Sequence, residues 1–326
     1  MEWETYEKIS YYFDFVNFVD VSGWGEPLLH ERIYDMIKLA KEKKCFVGFT
    51  TNGTLLTESV SERLIALNLD LIAISMDGAI PETYESIRKG AQLETLVNNI
   101  ITLNLSKQRL NSKKLKVVLV SLMMKRNISE LPSLVDLASK LGVDQILVKN
   151  VAVTLKAEDD EQRLFSCSGE GISREAIENI EKAKDKARQN GITLNVASLK
   201  VTDNKPVCLA DPLKSVYFTW DGYVSPCDSL AHLDVPRIFC GKSEKSAPLM
   251  HFGNIQKEDL FKIWEKKEYG EFRQLFHKRM KAYHSFPYKV VNAFIDLLSK
   301  DKESSALPLG EAPLVCQNCH YLYGIH

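Results

Sequence analysis

Four of the seven cysteines in this 326-residue chain are spaced as ligands of one metal centre. Cys316 and Cys319 form a C-x-x-C pair, which presents two thiolates to the same ion or cluster. Cys227 ends the second strand of a predicted β-hairpin with an Asp-Gly turn, and Cys208 precedes that hairpin. Four sulfur ligands suit either a [4Fe–4S] cluster or tetrahedral zinc. Cys240 is a candidate substitute ligand.

A glycine-rich acidic loop follows the first predicted strand. Residues 18–29 begin with an apolar run, pass through Gly23 and Gly25, and continue with Glu26 and Pro27. Because glycine has no Cβ, backbone groups of this loop can face a ligand directly. Pro27 suits the first turn of the next helix, and Glu26 as a cap of that helix is the alternative interpretation of the acid.

Polar residues also follow the later predicted strands. The side chains at these strand ends are Glu26, Asn52, Ser75, Asp77, Lys149 and Asn150. Apolar strands separated by helices are typical of a parallel sheet covered by helices. A complete or partial (β/α) barrel gathers the carboxyl ends of its strands around one pocket. A doubly wound nucleotide fold would need G-x-G-x-x-G after a strand, and the chain has no such run.

The predicted elements alternate along the first part of the chain. Strands are predicted over residues 16–22, 46–51, 69–76, 116–123, 145–150 and 192–196. Helices are predicted over 1–14, 30–43, 58–67 and 173–190, with others beginning near 81 and 129. In the second part we predict a hairpin over 216–226, a helix over 258–276 and an insertion over 278–313. Residues 155–171 are predicted to be a loop or lid.

The predicted fold class is α/β, with a partial (β/α)6-type barrel over residues 1–200 and a small α+β domain over 201–326. Lys and Arg number 42 against 43 Asp and Glu, so the net charge of −1 gives no case for binding nucleic acid or an anionic membrane. The acidic start has no apolar signal core, and no apolar run reaches the roughly 18 residues of a membrane helix. Clustered cysteines, too few for a disulfide scaffold, predict a cytoplasmic protein.

Three motifs in this order resemble the radical S-adenosylmethionine (radical SAM) superfamily. They are Ser22-Gly23-Trp24-Gly25-Glu26-Pro27, Thr51-Asn52-Gly53, and Ser75-Met76-Asp77-Gly78 with Tyr84 and Arg88. The resemblance implies a cofactor site made of Gly25, Glu26, Pro27, Asn52, Ser75, Asp77 and Arg88. In that family the Gly-Glu-Pro loop binds the amino group of S-adenosylmethionine, and the serine and arginine hold its ribose and carboxylate. Arg88 as a solvated helix end and Asn52-Gly53 as a simple turn are the alternatives.

The second half resembles the SPASM extension, a small domain on radical SAM enzymes that modify peptides or proteins. The resemblance rests on the four cysteines, residues 220–227, Phe252-Gly253-Asn254-Ile255, Leu260 and Trp264. It implies one auxiliary [4Fe–4S] cluster, rather than zinc, on Cys208, Cys227, Cys316 and Cys319. Asp228 follows Cys227, and a resemblance to anaerobic sulfatase-maturing enzymes implies that it is a catalytic general base. A capping aspartate at the end of the hairpin is the alternative.

The sequence departs from the superfamily in one respect. Its C-x-x-x-C-x-x-C loop, which holds the radical-generating [4Fe–4S] cluster, occurs nowhere in these residues. We expect either that the chain lacks the first barrel strand and its loop, or that it is a relative without radical chemistry. The second [4Fe–4S] cluster is therefore expected only in an intact form.

The resemblance predicts a radical SAM oxidoreductase, similar to maturases, that modifies a peptide or protein side chain by hydrogen abstraction. Its expected partners are that substrate and an electron donor such as flavodoxin or ferredoxin, without nucleic acid or a membrane. A non-catalytic iron–sulfur scaffold that docks a peptide is the alternative prediction.

Overall fold

The computed structural model describes residues 1–151, 154, 157–166, 171–201, 203, 205–232, 237–239, 242–244, 249–285, 287, 289–291 and 309–325. Among these residues, no helix has the length and apolar character needed to cross a membrane. Cys240, six of the seventeen residues of the predicted 155–171 lid and just over half of the predicted 278–313 insertion lie outside the described residues.

Six parallel strands form one sheet in sequence order. They are β1 (Phe18–Asp20), β2 (Phe46–Thr51), β3 (Leu71–Ser75), β4 (Lys116–Met123), β5 (Gln145–Asn150) and β6 (Thr193–Val196). Each strand pairs in parallel with the next, so all their carboxyl ends lie at one edge. This order is that of a (β/α) unit repeated around a partial barrel.

Helices connect these strands and cover the outer side of the sheet. They are α1 (Trp3–Ser10), α2 (Ile33–Glu42), α3 (Glu58–Ala66), α4 (Pro81–Ile87), α5 (Leu93–Arg109), α6 (Leu131–Leu141), α7 (Ala157–Asp160) and α8 (Arg174–Asn190). Short 3-10 turns occupy Phe13–Phe15, Pro27–Leu29 and Ile128–Glu130. Side chains of this outer face, such as Ile74, Leu119 and Val148, have no solvent exposure.

The inner face of the sheet is less completely covered. In β5 the burial alternates, and Leu147 and Lys149 are half-buried beside Val120 and Leu122 of β4. Since successive strand residues point to opposite faces, these four side chains share the inner face. That face is therefore the part of the sheet that a ligand at its carboxyl edge would contact.

The second part of the chain is built on a small antiparallel sheet. Its strands are β7 (Tyr217–Phe218), β8 (Tyr223–Ser225) and β11 (Gly253–Asn254), with β8 in the middle, and β9 (Arg237–Phe239) pairs with β10 (Lys242–Glu244). The helices are α9 (Asp228–Ala231), α10 (Leu260–Trp264) and α11 (Lys267–His284), and a 3-10 turn spans Leu314–Cys316. Gly222 has φ of +86° in the hairpin turn, as an Asp-Gly turn requires.

The two parts share one hydrophobic core, and helix α1 joins them. Tyr6 and Ile9 of α1 belong to the same buried cluster as Ile263 and Phe276 of the second part. The hydroxyl of Tyr12 donates to Asp259 Oδ2 over 2.7 Å at the start of α10. The boundary near residue 201 stays a prediction.

Most predicted elements are confirmed, with differences at four places. Helix α7 lies in the predicted 155–171 loop, and α11 continues to His284, inside the predicted 278–313 insertion. The helix predicted over 258–276 is wrong as one element, because the chain breaks between α10 and α11 at Lys266, which has ψ of 141°. The Lys266 ammonium is held at this break by the Phe252 carbonyl, over 2.8 Å, and by Glu258. Helix α5, which the prediction left out, runs over 17 residues.

Candidate cofactor and cluster site

The glycine loop after β1 is open on its outer side. An ideal Cβ added at Gly23 or Gly25 would meet nothing within 4 Å. Trp24 between them is 58% exposed. The loop therefore offers backbone groups and unfilled space at the carboxyl edge of the sheet, which fits a bound small molecule.

Glu26 ties this loop to β2. Its Oε1 accepts hydrogen bonds from Thr51 Oγ1 over 2.7 Å and from the Leu28 amide over 3.1 Å. Its Oε2 accepts from the Asn52 amide over 2.7 Å. The Leu28 contact is the capping interaction expected by the alternative interpretation, in which Glu26 caps the helical turn that follows it. A cofactor ammonium would be an additional partner for a carboxylate that is already held in place, and this role stays a prediction.

Asn52 and Gly53 form a tight turn at the end of β2. Asn52 Oδ1 accepts from the amide of Thr54 over 2.9 Å and from its hydroxyl over 2.7 Å. Gly53 has φ of +76°, and a Cβ there would lie 2.4 Å from Leu96 Cδ1. Asn99 of α5 donates to the Gly53 carbonyl over 2.9 Å and fixes the turn from outside. The turn at Asn52-Gly53, which was the alternative to a cofactor role, is therefore present.

Asp77 and Arg88 form an ion pair after β3. The Arg88 Nε donates to Asp77 Oδ2 over 2.6 Å, and the Leu122 amide donates to Asp77 Oδ1 over 2.7 Å. Asp77 is 1% exposed, so its carboxylate orients Arg88 from inside the protein. Arg88 is therefore a fixed cation and not a freely solvated helix end. Ser75 is buried nearby at the end of β3.

Several residues that support this site were not found from the sequence. Asn127 donates through Nδ2 to the carbonyls of Asp77 and Leu122, over 2.8 Å each. Glu130 accepts from the amide of Ala79 over 2.8 Å. Both precede or begin α6, far along the chain, and nothing in their local pattern marks them. They hold the loop that carries Asp77 against β4.

The four predicted ligand cysteines come together in the second part. Burial raises the pKa of the Cys208 thiol to about 11, and the neighbouring Cys319 adds to the rise. Burial and the other thiols likewise raise the pKa values of Cys227 and Cys316. The Leu209 amide donates to the Tyr321 carbonyl over 3.2 Å, and the Tyr321 hydroxyl donates to Asp228 over 3.1 Å, so the segments that carry Cys208, Cys227 and Cys319 lie side by side. Cys45, in contrast, is buried under the barrel and contacts the Phe13 carbonyl.

The donor set fits a [4Fe–4S] cluster better than one ion. Backbone amides of Ala210 and Asp211 reach the Cys208 sulfur and that of Leu230 reaches the Cys227 sulfur, as donors that favour thiolates. In the part of the chain that is described, no three His, Cys, Asp or Glu side chains surround a point that one metal ion would fill. Four soft thiolates with hydrogen bonds to their sulfurs suit an iron–sulfur core.

Asp228 lies where the second part meets the carboxyl edge of the barrel. Its Oδ2 accepts from the Tyr321 hydroxyl over 3.1 Å, and its Oδ1 accepts from the adjacent Ser229 amide over 2.7 Å. Lys149, on the inner face of β5, is on the other side. Burial lowers the pKa of Lys149, while the nearby carboxylates of Asp228 and Asp20 oppose that change. The base predicted from the sequence therefore sits beside both the barrel and the thiols.

An aromatic contact connects the glycine loop to the same junction. The Trp24 ring meets the His232 ring edge-on, with centroids 5.7 Å apart. His232 Nε2 and the Tyr217 hydroxyl are hydrogen-bonded over 2.9 Å. The predicted cofactor loop and the residues after Cys227 thus face one another, and no sequence pattern indicated this contact.

Two family models match the chain on either side of the junction. The radical SAM superfamily model matches residues 16–138, and the SPASM model, described as an iron–sulfur cluster-binding domain, matches residues 208–285. A tungsten-containing aldehyde ferredoxin oxidoreductase cofactor-modifying protein from Pyrococcus furiosus is 30% identical over 252 residues, which are 77% of this chain and 68% of the relative. The chain belongs to the radical SAM superfamily. Its cofactors are S-adenosylmethionine and a [4Fe–4S] cluster.

Solved structures show the same fold for this radical SAM protein. Streptococcus suis SuiB bound to the precursor peptide SuiA aligns with a TM-score of 0.56 and 16% identity, over 83% of this chain and 59% of that one. Native anSMEcpe with bound AdoMet and a Kp18Cys peptide aligns with a TM-score of 0.56 and 15% identity, over 95% and 85%. The radical SAM chain therefore spans about three fifths of the SuiB length.

Proposed function

We propose that this radical SAM protein takes part in the modification of a peptide or protein side chain by hydrogen abstraction. The observation that carries the proposal is the meeting of four thiols, Asp228 and the glycine loop at one edge of the sheet. Support also comes from SuiB and anSMEcpe, which have been solved with bound peptides. An electron donor such as flavodoxin or ferredoxin is the proposed redox partner.

In this proposal the barrel residues bind and orient S-adenosylmethionine. Arg88, held by Asp77, offers a guanidinium to the methionine carboxylate, because the planar cation matches that group. The open backbone at Gly25 and the carboxylate of Glu26 receive the amino group, with Asn52 shaping the loop. Ser75 and Pro27 line the same edge. When bound in a form that also holds the radical-generating [4Fe–4S] cluster as its electron source, S-adenosylmethionine would supply a carbon radical able to take a hydrogen atom from the substrate.

The second part supplies a proton acceptor and a sulfur site. Cys208, Cys227, Cys316 and Cys319 hold the auxiliary cluster. Asp228, fixed by two hydrogen bonds, accepts a proton from the substrate at its carboxylate. The inner sheet face, with apolar Val120 and Leu147 next to Lys149, would contact the substrate at this edge.

The cluster part of this proposal is tested by anaerobic reconstitution of the chain with iron and sulfide. About four irons per chain are expected, with the absorption of a [4Fe–4S] cluster. Changing any one of the four predicted ligand cysteines to alanine should lower that content, whereas Cys45→Ala should leave it unchanged. One zinc per chain and no iron would overturn the assignment.

The cofactor part is tested separately by calorimetric titration with S-adenosylmethionine. Arg88→Met should weaken binding at least about tenfold, the effect of losing one charge-assisted pair. Arg63→Met is the control, because Arg63 lies over the Tyr34 ring away from this edge. Equal binding by the two variants would contradict the proposed cofactor site. Iron uptake without S-adenosylmethionine binding would favour the scaffold alternative.

A further inference from the structure

Tyr321 connects three separate segments that carry the proposed cluster ligands. It lies two positions after Cys319. Its carbonyl accepts a hydrogen bond over 3.2 Å from the amide of Leu209, the residue after Cys208. Its hydroxyl donates over 3.1 Å to Asp228, the residue after Cys227. One residue therefore touches the neighbours of two ligands and is itself a near neighbour of a third.

The contact with Asp228 constrains a side chain that would otherwise turn. The Ser229 amide holds only Oδ1, and it comes from the next residue in the chain. A single local contact of this kind leaves rotamers of the aspartate open, whereas a second contact from 93 positions away selects one of them. The Tyr321 ring is partly buried against His320, with centroids 4.3 Å apart, so its hydroxyl is held in place.

From this arrangement we infer that Tyr321 is a positioning residue, which fixes the Asp228 carboxylate beside the auxiliary cluster. The inference rests on the proposed cluster and on the proposed role of Asp228. The hydrogen bond from Tyr321 draws negative charge onto Asp228 Oδ2 and so weakens the field of this carboxylate at the neighbouring cluster ligands. Because hydrogen bonds and charges near a cluster tune its reduction potential, this contact is expected to raise that potential.

A double-mutant cycle on the reconstituted chain tests this inference. Tyr321→Phe removes only the hydroxyl and should lower the midpoint potential in a dye-mediated redox titration followed by electron paramagnetic resonance. Asp228→Asn removes the negative charge and should raise it. In the Asp228→Asn background, Tyr321→Phe should have little further effect, because both changes act through one contact. A merely structural role for Tyr321 would give additive shifts and would overturn the inference.

Tyr323→Phe is the matched control. Tyr323 is in the same tail, and its hydroxyl donates to the carbonyl of Gln317, inside the C-x-x-C pair. Its removal should change the potential by the same amount with or without the Asp228→Asn change. A coupling for Tyr323 as large as that for Tyr321 would contradict a specific role of Tyr321.

The same cycle on the metal-free chain separates this inference from the proposed function. Urea unfolding should give non-additive midpoints for Tyr321→Phe and Asp228→Asn, which reports the contact itself. A chain that takes up no iron would overturn the proposed cluster, and the urea cycle would then decide the contact alone. Additive urea midpoints would overturn the positioning of Asp228 by Tyr321.

Discussion

Asp77 and Arg88 show what a motif can and cannot reveal about single residues. The motif predicted both as cofactor-binding, and the structure places them together after β3. Both oxygens of Asp77 accept hydrogen bonds from protein groups, one from Arg88 and one from the Leu122 amide. The local sequence could not indicate the second contact, because Leu122 is 45 positions away. We therefore propose that Asp77 orients Arg88, and that Arg88 contacts the cofactor.

Asp77→Asn is expected to weaken S-adenosylmethionine binding by about tenfold and to lower the free energy of unfolding by about 2 kcal/mol. The physical reason is the loss of a charge-assisted hydrogen bond to a buried group, which contributes roughly 1.5–3 kcal/mol. Calorimetric titration and urea unfolding measure the two effects.

The control for this prediction is Asp144→Asn. Asp144 accepts from the Val117 amide over 2.8 Å, so it ties two strands as Asp77 does, but at their amino ends. This variant should lose stability and retain full cofactor affinity. Equal losses of affinity in the two variants would show that the effect comes from the fold and not from Arg88.

At the scale of elements, the sequence predicted strands better than helix ends. Strands β2, β4 and β5 have the predicted bounds, because each is an apolar run closed by turn residues. The break between α10 and α11 was not predicted, since the apolar periodicity continues across it without glycine or proline. It depends on Lys266 reaching Phe252 and Glu258, contacts that only the folded chain provides.

Two glycines are expected to respond in opposite ways to alanine. A Cβ at Gly78 would lie 2.7 Å from the amide nitrogen of Tyr84 in the middle of α4, so Gly78→Ala should destabilise the chain by about 1–3 kcal/mol. Gly270 lies within α11 with nothing within 4 Å of its added Cβ, so Gly270→Ala should stabilise it by about 0.5–1 kcal/mol. Urea midpoints that move in the same direction would contradict these packing assignments.

At the scale of the molecule, Arg279 connects separate segments of the second part through hydrogen bonds. It is 1% exposed, forms an ion pair with Asp203, and donates to the carbonyls of Lys205, Pro206 and Gly310. It therefore fixes the chain shortly before Cys208 and shortly before the C-x-x-C pair. No sequence pattern marked it, because its partners are carbonyls from remote segments.

Arg279→Met is expected to lower the free energy of unfolding by about 1.5–3 kcal/mol, because three carbonyls and the Asp203 carboxylate lose their charged hydrogen-bond donor. Lys278→Met, on the exposed side of the same helix turn, should change stability by less than about 0.5 kcal/mol. Comparable urea midpoints for the two variants would show that Arg279 does not stabilise the second part in this way.

Iron removal is expected to loosen only one region of the chain. Chelation should speed amide hydrogen exchange in residues 208–232 and 309–325, where the four thiols and their supports lie. Strands β3 and β4, enclosed by the apolar core, should keep their protection. Exchange that rises uniformly along the chain, or nowhere, would contradict a cluster held by the second part alone.

The long separation of the four cysteines along the chain has a further consequence for durability. Cys208 and Cys319 are roughly a hundred positions apart, and a metal cluster bound by both would cross-link the chain across that interval. Cross-links over loops of that length restrict the unfolded chain by an amount on the order of 4–5 kcal/mol. Oxidative damage to the cluster should therefore appear first as increased susceptibility of the chain to proteases. The lifetime of the polypeptide in air should follow the lifetime of its sulfur-bound iron.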